Sequence, residues 1–109
     1  MTQSELRDHV DRMVHRIASR FQPEKIILYG SHARGDAGAD SDVDLLIVMR
    51  VAGSCRQMAN EIDLALSDRA LPLDLVVVTP EQFSRQSELV GTLVREAARE
   101  GKVIYERAA

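Results

Sequence analysis

Residues 25–49 read KIILYGSHARGDAGADSDVDLLIVM, two apolar runs separated by a stretch of small and polar side chains. Lys25 to Tyr29 has the length and apolar character of a short buried strand, closed by Gly30. Asp42 to Met49 reads as a second strand, apolar except for its first carboxylates. Gly35 and Gly38 mark a tight connection between the two. Ser31 and Asp42 stand too close in the chain for a parallel crossover, which usually takes about a dozen residues or more. The two strands are therefore expected to run antiparallel. Gly30 and Ser31, at the end of the first, then lie beside Asp42 and Asp44 at the start of the second.

Working outward, Thr2 and Glu5 have the spacing of a helix capping box. Leu6, Val10, Met13, Val14, Ile17 and Phe21 follow at helical intervals, and Pro23 ends the helix. Downstream, Ser54 is placed to cap a helix carrying Met58, Ile62, Ala65 and Leu66 on one face. Leu73 to Thr79 reads as a third strand. Thr79, Pro80 and Gln82 form a helix start, opening a broken helical stretch to Glu100 with Val90, Leu93, Val94 and Ala97 inward. Gly101 stops it, and Val103 to Tyr105 adds a short edge strand. This order predicts an α/β (α+β) fold, a small mixed sheet flanked by helices, as a single domain over residues 1–109.

The second and third strands are joined through a helix, the pattern of a parallel crossover. Their starting ends then lie side by side, which brings Asp74 next to Asp42 and Asp44. Side chains alternate along a strand, so Asp42 and Asp44 share a face. Whether Asp74 joins them depends on register, which the sequence leaves open. If it does, three carboxylates converge and raise one another's pKa unless a cation compensates. A hard divalent ion such as magnesium takes carboxylate oxygens together with substrate phosphates. The plainer alternatives are that Asp42 caps a turn after Ser41, and that Asp74 pairs with Arg69 or Arg85.

Composition narrows the classes of function. Fourteen basic against 17 acidic residues give a net charge of -3, which argues against a protein gripping nucleic acid through its overall field. A single cysteine, Cys55, cannot form an intramolecular disulfide. No apolar run approaches the ~20 residues of a membrane helix, and no signal-peptide core opens the chain. A cytoplasmic location is expected. Gly30 and Ser31 follow a strand and precede a small-residue turn, where backbone amides and the Ser31 hydroxyl can donate to phosphate oxygens. Arg34 lies within reach to neutralise charge there, and Gly35 would let the chain leave without a clashing Cβ.

With these residues in place, Tyr29 to Val48 resembles the DNA polymerase beta-like nucleotidyltransferase superfamily. Within it, the stretch is similar to the minimal nucleotidyltransferases, the antitoxin half of two-gene systems paired with a helical, ribonuclease-type toxin of the HEPN class. The family pattern falls on Gly30, Ser31, Arg34, Gly35, Ser41, Asp42, Asp44, Leu45 and Asp74, with His32 where arginine is common. The resemblance implies a nucleotidyltransferase fold and magnesium-dependent transfer of AMP from ATP to a hydroxyl of the toxin. By the same resemblance, Asp42 and Asp44 hold two magnesium ions and Asp74 binds the one nearest the attacking hydroxyl. Gly30, Ser31, Arg34, Gly35 and Ser41 would bind the nucleotide. Phe83 and Tyr105 become candidates for a docking surface, whereas His9 and His15 read as surface residues. No direct nucleic-acid or membrane binding is expected. Two other readings stand beside this one: an antitoxin that neutralises its partner by binding alone, and a transferase acting on a small molecule such as an antibiotic.

Overall fold

The computed structural model describes residues 1–108. The chain runs α1 (Gln3–Phe21), β1 (Lys25–Tyr29), α2 (Ser31–Arg34), β2 (Val43–Val48), α3 (Cys55–Ala65) and β3 (Leu73–Val78). It continues through α4 (Pro80–Gln86) and α5 (Leu93–Glu100) to β4 (Lys102–Glu106). The strands form one mixed sheet in the order β3-β2-β1-β4, so the chain has the mixed α and β architecture that its sequence predicts. β1 is antiparallel to both β2 and β4, and β2 is parallel to β3.

Local chemistry sets most helix starts. At α1 the Thr2 hydroxyl accepts from the Glu5 amide (3.1 Å) while the Thr2 amide donates to the Glu5 carboxylate (2.9 Å). The same reciprocal pair, Thr79 with Gln82, opens α4, and the Ser54 hydroxyl caps α3. Each arrangement satisfies first-turn amides that have no partner within the helix. α1 stops at Gln22, which takes a left-handed conformation just before Pro23.

The sheet carries a core on each face. On one side Leu6, Val10, Met13, Val14 and Ile17 of α1, with Ile62 of α3 and Leu66 just beyond it, cover Ile26, Leu28, Val43, Leu45 and Ile47. On the other, Val94 and Ala97 of α5, with Phe83 of α4, cover Ile27, Tyr29, Leu46, Val48 and Val78. β2 lies between β1 and β3 and is the most deeply buried strand.

Two expectations require correction. The helical stretch after Pro80 is broken as its sequence suggests, but Val90 and Leu93 do not point inward: α5 restarts with the Thr92 hydroxyl capping the Arg95 amide. The interruption resets the helical phase, so Val94 and Ala97 face the sheet, while Val90 is 82% exposed and Leu93 is also exposed. β2 begins at Val43 rather than Asp42, which leaves Asp42 just outside the strand.

α5 reaches the sheet through Gly101. A Cβ at that position would lie 2.5 Å from the Ala97 carbonyl oxygen, 2.7 Å from Ile27 Cγ2 and 2.8 Å from the Leu28 carbonyl oxygen. Backbone cannot yield there as a flexible side chain would. Gly101→Ala is expected to push α5 off β1 and to lower stability by about 1–3 kcal/mol, the usual range for overpacking. Urea denaturation checks this; an unchanged midpoint would mean that α5 docks loosely.

Candidate active site

The two ladders that meet on β2 align three residues across the sheet. Tyr29 pairs with Asp44 between β1 and β2, and Asp44 pairs with Asp74 between β2 and β3. Directly paired residues project to the same side. Tyr29, Asp44 and Asp74 therefore form one lateral row on the α5 side, with neighbouring strands about 4.8 Å apart. The register that the sequence leaves open thus puts Asp74 on the face of Asp44. Asp42, just before the strand, is near enough for its charge to act on Asp44.

Electrostatics in the row are unfavourable in the absence of a ligand. Partial burial pushes the Asp44 carboxyl above the ordinary carboxylate range, Asp74 and Asp42 push it further, and His32 and Arg34 draw it back. Asp42 and Asp74 are exposed. Among the described residues none of the three carboxylates enters an ion pair. The simple partners considered for Asp74 are not realised: Arg69 pairs with Asp63 at 3.1 Å and Arg85 makes no ion pair among the described residues.

Gly30 shapes the wall beside Asp44. Its backbone sits at φ 75°, ψ −155°, a region open essentially to glycine alone. A Cβ there would also collide with Asp44 Oδ2. Beyond it α2 makes one turn, with the Gly30 carbonyl accepting from the amides of Ala33 and Arg34, both at 3.1 Å. The amides of Ser31 and His32 begin that turn, where a helix supplies no partners of its own.

The remaining candidates take up particular positions around this loop. Arg34 is exposed and its Nε lies 3.4 Å from Asp36, an exposed pair of little energetic weight. The Ser41 hydroxyl accepts from the Gly38 amide at 3.0 Å, and the Ser41 carbonyl lies 3.2 Å from His32 Nε2. That contact ties His32 and the loop to the start of β2. Gly35 differs from expectation, because nothing lies within 4 Å of the Cβ it would carry. Its glycine is required by a left-handed φ of 86° at the end of α2. Phe83 and Tyr105 are packed against the two cores, Phe83 beneath Lys25 Nζ at 5.2 Å. The exposed large apolar side chains near α5 are instead Leu89, Val90 and Leu93.

Tyr29 was not among the site residues that the motif suggests. It is only 7% exposed, and its hydroxyl is buried without a hydrogen-bond partner. Burial, then Asp44, Asp74 and Glu96, push its pKa up to about 12. The phenol is held as a proton donor. Strand alternation plus the register with Asp44 is the signal that finds it, and that register is not in the sequence.

Among the described residues no three His, Cys, Asp or Glu side chains are gathered closely enough to hold a metal ion by themselves. That matches how magnesium is usually held, by one or two carboxylates plus substrate phosphates and waters rather than by an all-protein cage. The donor set is all hard oxygen, and the missing Cβ of Gly30 leaves Asp44 Oδ2 open toward the loop. The residues present fit such an ion.

Known proteins resemble this chain in sequence and in fold. The chain belongs to the nucleotidyltransferase domain family, whose model matches residues 10–105. It is 31% identical over 101 residues to a "putative protein adenylyltransferase" of Methanocaldococcus jannaschii, spanning 88% of this chain and 94% of that protein. Two solved structures share the fold. One is described as a "putative nucleotidyltransferase" from Sulfolobus solfataricus (TM-score 0.57, 21% identity, 96% of this chain and 84% of that one). The other comes from a toxin–antitoxin structure with AMP-PNP (TM-score 0.58, 17% identity, 89% of this chain and 73% of that one).

Two substitutions test the strain and the repulsion separately. Gly30→Ala is expected to lose about 1–3 kcal/mol of stability, the cost of a forbidden backbone region, before any clash is counted. Asp74→Asn removes one of two directly opposed like charges and should gain about 0.2–1 kcal/mol without divalent metal. Denaturation in a chelating buffer measures both; a destabilised Asp74→Asn would show that the row is already compensated.

Proposed function

We propose that this chain transfers a nucleotidyl group, AMP from ATP, to a hydroxyl carried by a partner protein. The observation that carries the reading is the alignment of Asp44 with Asp74, close to Asp42 and beside the Gly30–Ser31 loop. In this reading the loop amides, the Ser31 hydroxyl and Arg34 receive the triphosphate. Ser41 and His32 hold the loop against the start of β2. One or two of Asp42, Asp44 and Asp74, together with substrate phosphates, would hold magnesium, which would supply charge neutralisation to the phosphates and acidify an attacking hydroxyl. Asp74 is exposed on the edge strand, and in this reading the acceptor approaches from its side. The acceptor oxygen bonds to the α-phosphorus, the bond from that phosphorus to the bridging oxygen breaks, and pyrophosphate leaves. The acceptor proton passes to Asp74 or to water. Positioning and charge dominate such a transfer, because little covalent chemistry falls to the protein.

A protein acceptor is supported by the description of the Methanocaldococcus relative, and a toxin partner by the setting of the AMP-PNP structure. The specific partner in this reading is a HEPN-type toxin, with this chain as the antitoxin that modifies it. Incubation with α-labelled ATP and magnesium, with and without the protein encoded by the neighbouring gene, tests it. Label is expected on the neighbour. Asp44→Asn should lower the rate by roughly 10²–10³-fold, since metal-assisted charge stabilisation is worth several kcal/mol. An Asp42→Asn, Asp44→Asn double variant that still neutralises the partner would instead mark a binding antitoxin. Label on no protein would overturn the protein acceptor.

A further inference from the structure

The backbone of β3 has an open side. The Val43 amide donates to the Pro72 carbonyl at 2.8 Å, and the Met49 amide to the Val78 carbonyl at 3.0 Å. Backbone groups alternate in direction along a strand, so residues 72, 74, 76 and 78 bond toward β2. Leu73, Leu75 and Val77 therefore turn their amides and carbonyls away from it. β3 is the last strand on that side of the sheet, and among the described residues no backbone group pairs with those of Leu73 or Leu75. Val77 and Val78 are buried, but Leu73, Leu75 and Val76 are only half-buried and Asp74 is exposed. The uncovered half of the edge is the half that carries the carboxylate row. The opposite edge, β4, differs. Its pairing with β1 shifts register between Ile26 and Ile27, the kind of irregularity that discourages strand addition. β3 keeps one register with β2 from Leu73 to Val78.

An added strand would extend the row. A segment running antiparallel to β3 would bond to the outward groups of Leu73 and Leu75. Asp74 would then stand in a non-hydrogen-bonded pair, the position where opposed side chains come closest. The residue opposite it would project to the α5 side, as Asp44 and Asp74 do, one strand spacing of about 4.8 Å further on. Charge limits what that residue can be. A second copy of β3 centred on the same stretch, Leu73 against Leu75, would set Asp74 against its own counterpart. Directly opposed like charges are destabilising. A hydroxyl is neutral and donates to a carboxylate oxygen.

We propose that the acceptor protein adds an extended segment to β3, antiparallel along residues 73–75, and so holds its hydroxyl directly opposite Asp74. The proposal rests on the nucleotidyl-transfer reading and names the form in which the substrate is presented. Backbone pairing supplies affinity with little demand on sequence, and the position opposite Asp74 supplies the selection. The step itself is unchanged: the hydroxyl oxygen bonds to the α-phosphorus, pyrophosphate departs, and the proton passes to Asp74 or to water.

The test uses the full chain, magnesium, the α,β-methylene analogue of ATP, and the protein encoded by the neighbouring gene. Amide hydrogen exchange is read residue by residue. Alone, the Leu73 and Leu75 amides are expected to exchange rapidly, while those of Asp74 and Val76, on the β2 side, are protected. In the complex, exchange at Leu73 and Leu75 should slow roughly tenfold or more, the effect of about one net hydrogen bond. Leu75→Pro removes one outward donor, a change that edge strands accept when the nitrogen faces away from the sheet. It should raise KM for the acceptor roughly tenfold and leave ATP affinity unchanged. The exchange measurement decides the matter even if Leu75→Pro does not fold.

Label on the neighbour, with Leu73 and Leu75 exchanging as fast in the complex as alone, would overturn the proposal and leave nucleotidyl transfer standing. So would protection confined to Leu89, Val90 and Leu93, because docking would then lie around the start of α5. Protection at β3 with no label on any protein when ATP replaces the analogue would remove the proposed function and keep β3 as the partner's docking edge. A neighbour that neither binds nor takes label would remove both.

Discussion

Everything at the site depends on how β2 is paired. It is the strand with a neighbour on both sides of the row, antiparallel on one and parallel on the other. Its register therefore decides what stands beside Asp44 in both directions. A slip of one residue would send Asp44 into the core shared by α1 and α3 and turn Leu45 outward. The burial of Leu45, Leu46 and Ile47, all fully enclosed, forbids that slip. Hydrophobic burial on two faces is thus what aims a charged group that the same burial disfavours.

The row is also a place where stability is given up locally. Asp44 is held partly out of water beside Asp74 and Asp42, and the cations that temper it, His32 and Arg34, come from the loop that follows Gly30. Strained backbone at Gly30 and an unpaired phenol at Tyr29 lie within the same small region. In the proposed reading, the like-charge repulsion there is what a bound polyanion and its cation would relieve. The rest of the chain is conventional by comparison, with capped helices and two apolar cores.

Much of this was legible from local patterns. The capping pairs at Thr2 and Thr79, the apolar stripe of α1 and the three principal strands all depend on neighbours within a few residues, which sequence displays. The short link from Ser31 to Asp42 was enough to orient β1 against β2. Register across the longer crossover to β3 was not, because a period of two says which residues share a face but not which strand position they meet. Tyr29 was hidden for the same reason: at the end of an apolar strand it reads as core until Asp44 is known to lie beside it. Phe83 and Tyr105 could be read as docking or as packing residues, and both are partly buried against the cores, because an aromatic ring near a chain turn can pack either way. Val90 and Leu93 misled because a broken helix was read with one continuous phase. The carboxylates and the Gly-Ser pair were visible as a motif; their roles rest on chemistry still to be measured.

β3 forms one edge of the sheet, and its sequence from Leu73 to Val78 is Leu-Asp-Leu-Val-Val-Val. A short run of β-branched and aliphatic residues with no proline is the kind of segment that recruits further strands. Asp74 is the single charge within it. Natural sheets often guard such an edge with a charged side chain, which makes pairing with a second copy costly. The carboxylate at the end of the row therefore has a colloidal role as well: it acts as a gatekeeper against self-association of an otherwise adhesive strand. In the proposed reading, selection on solubility and selection on chemistry act on the same atom, and an apolar replacement at 74 would fail on both counts at once.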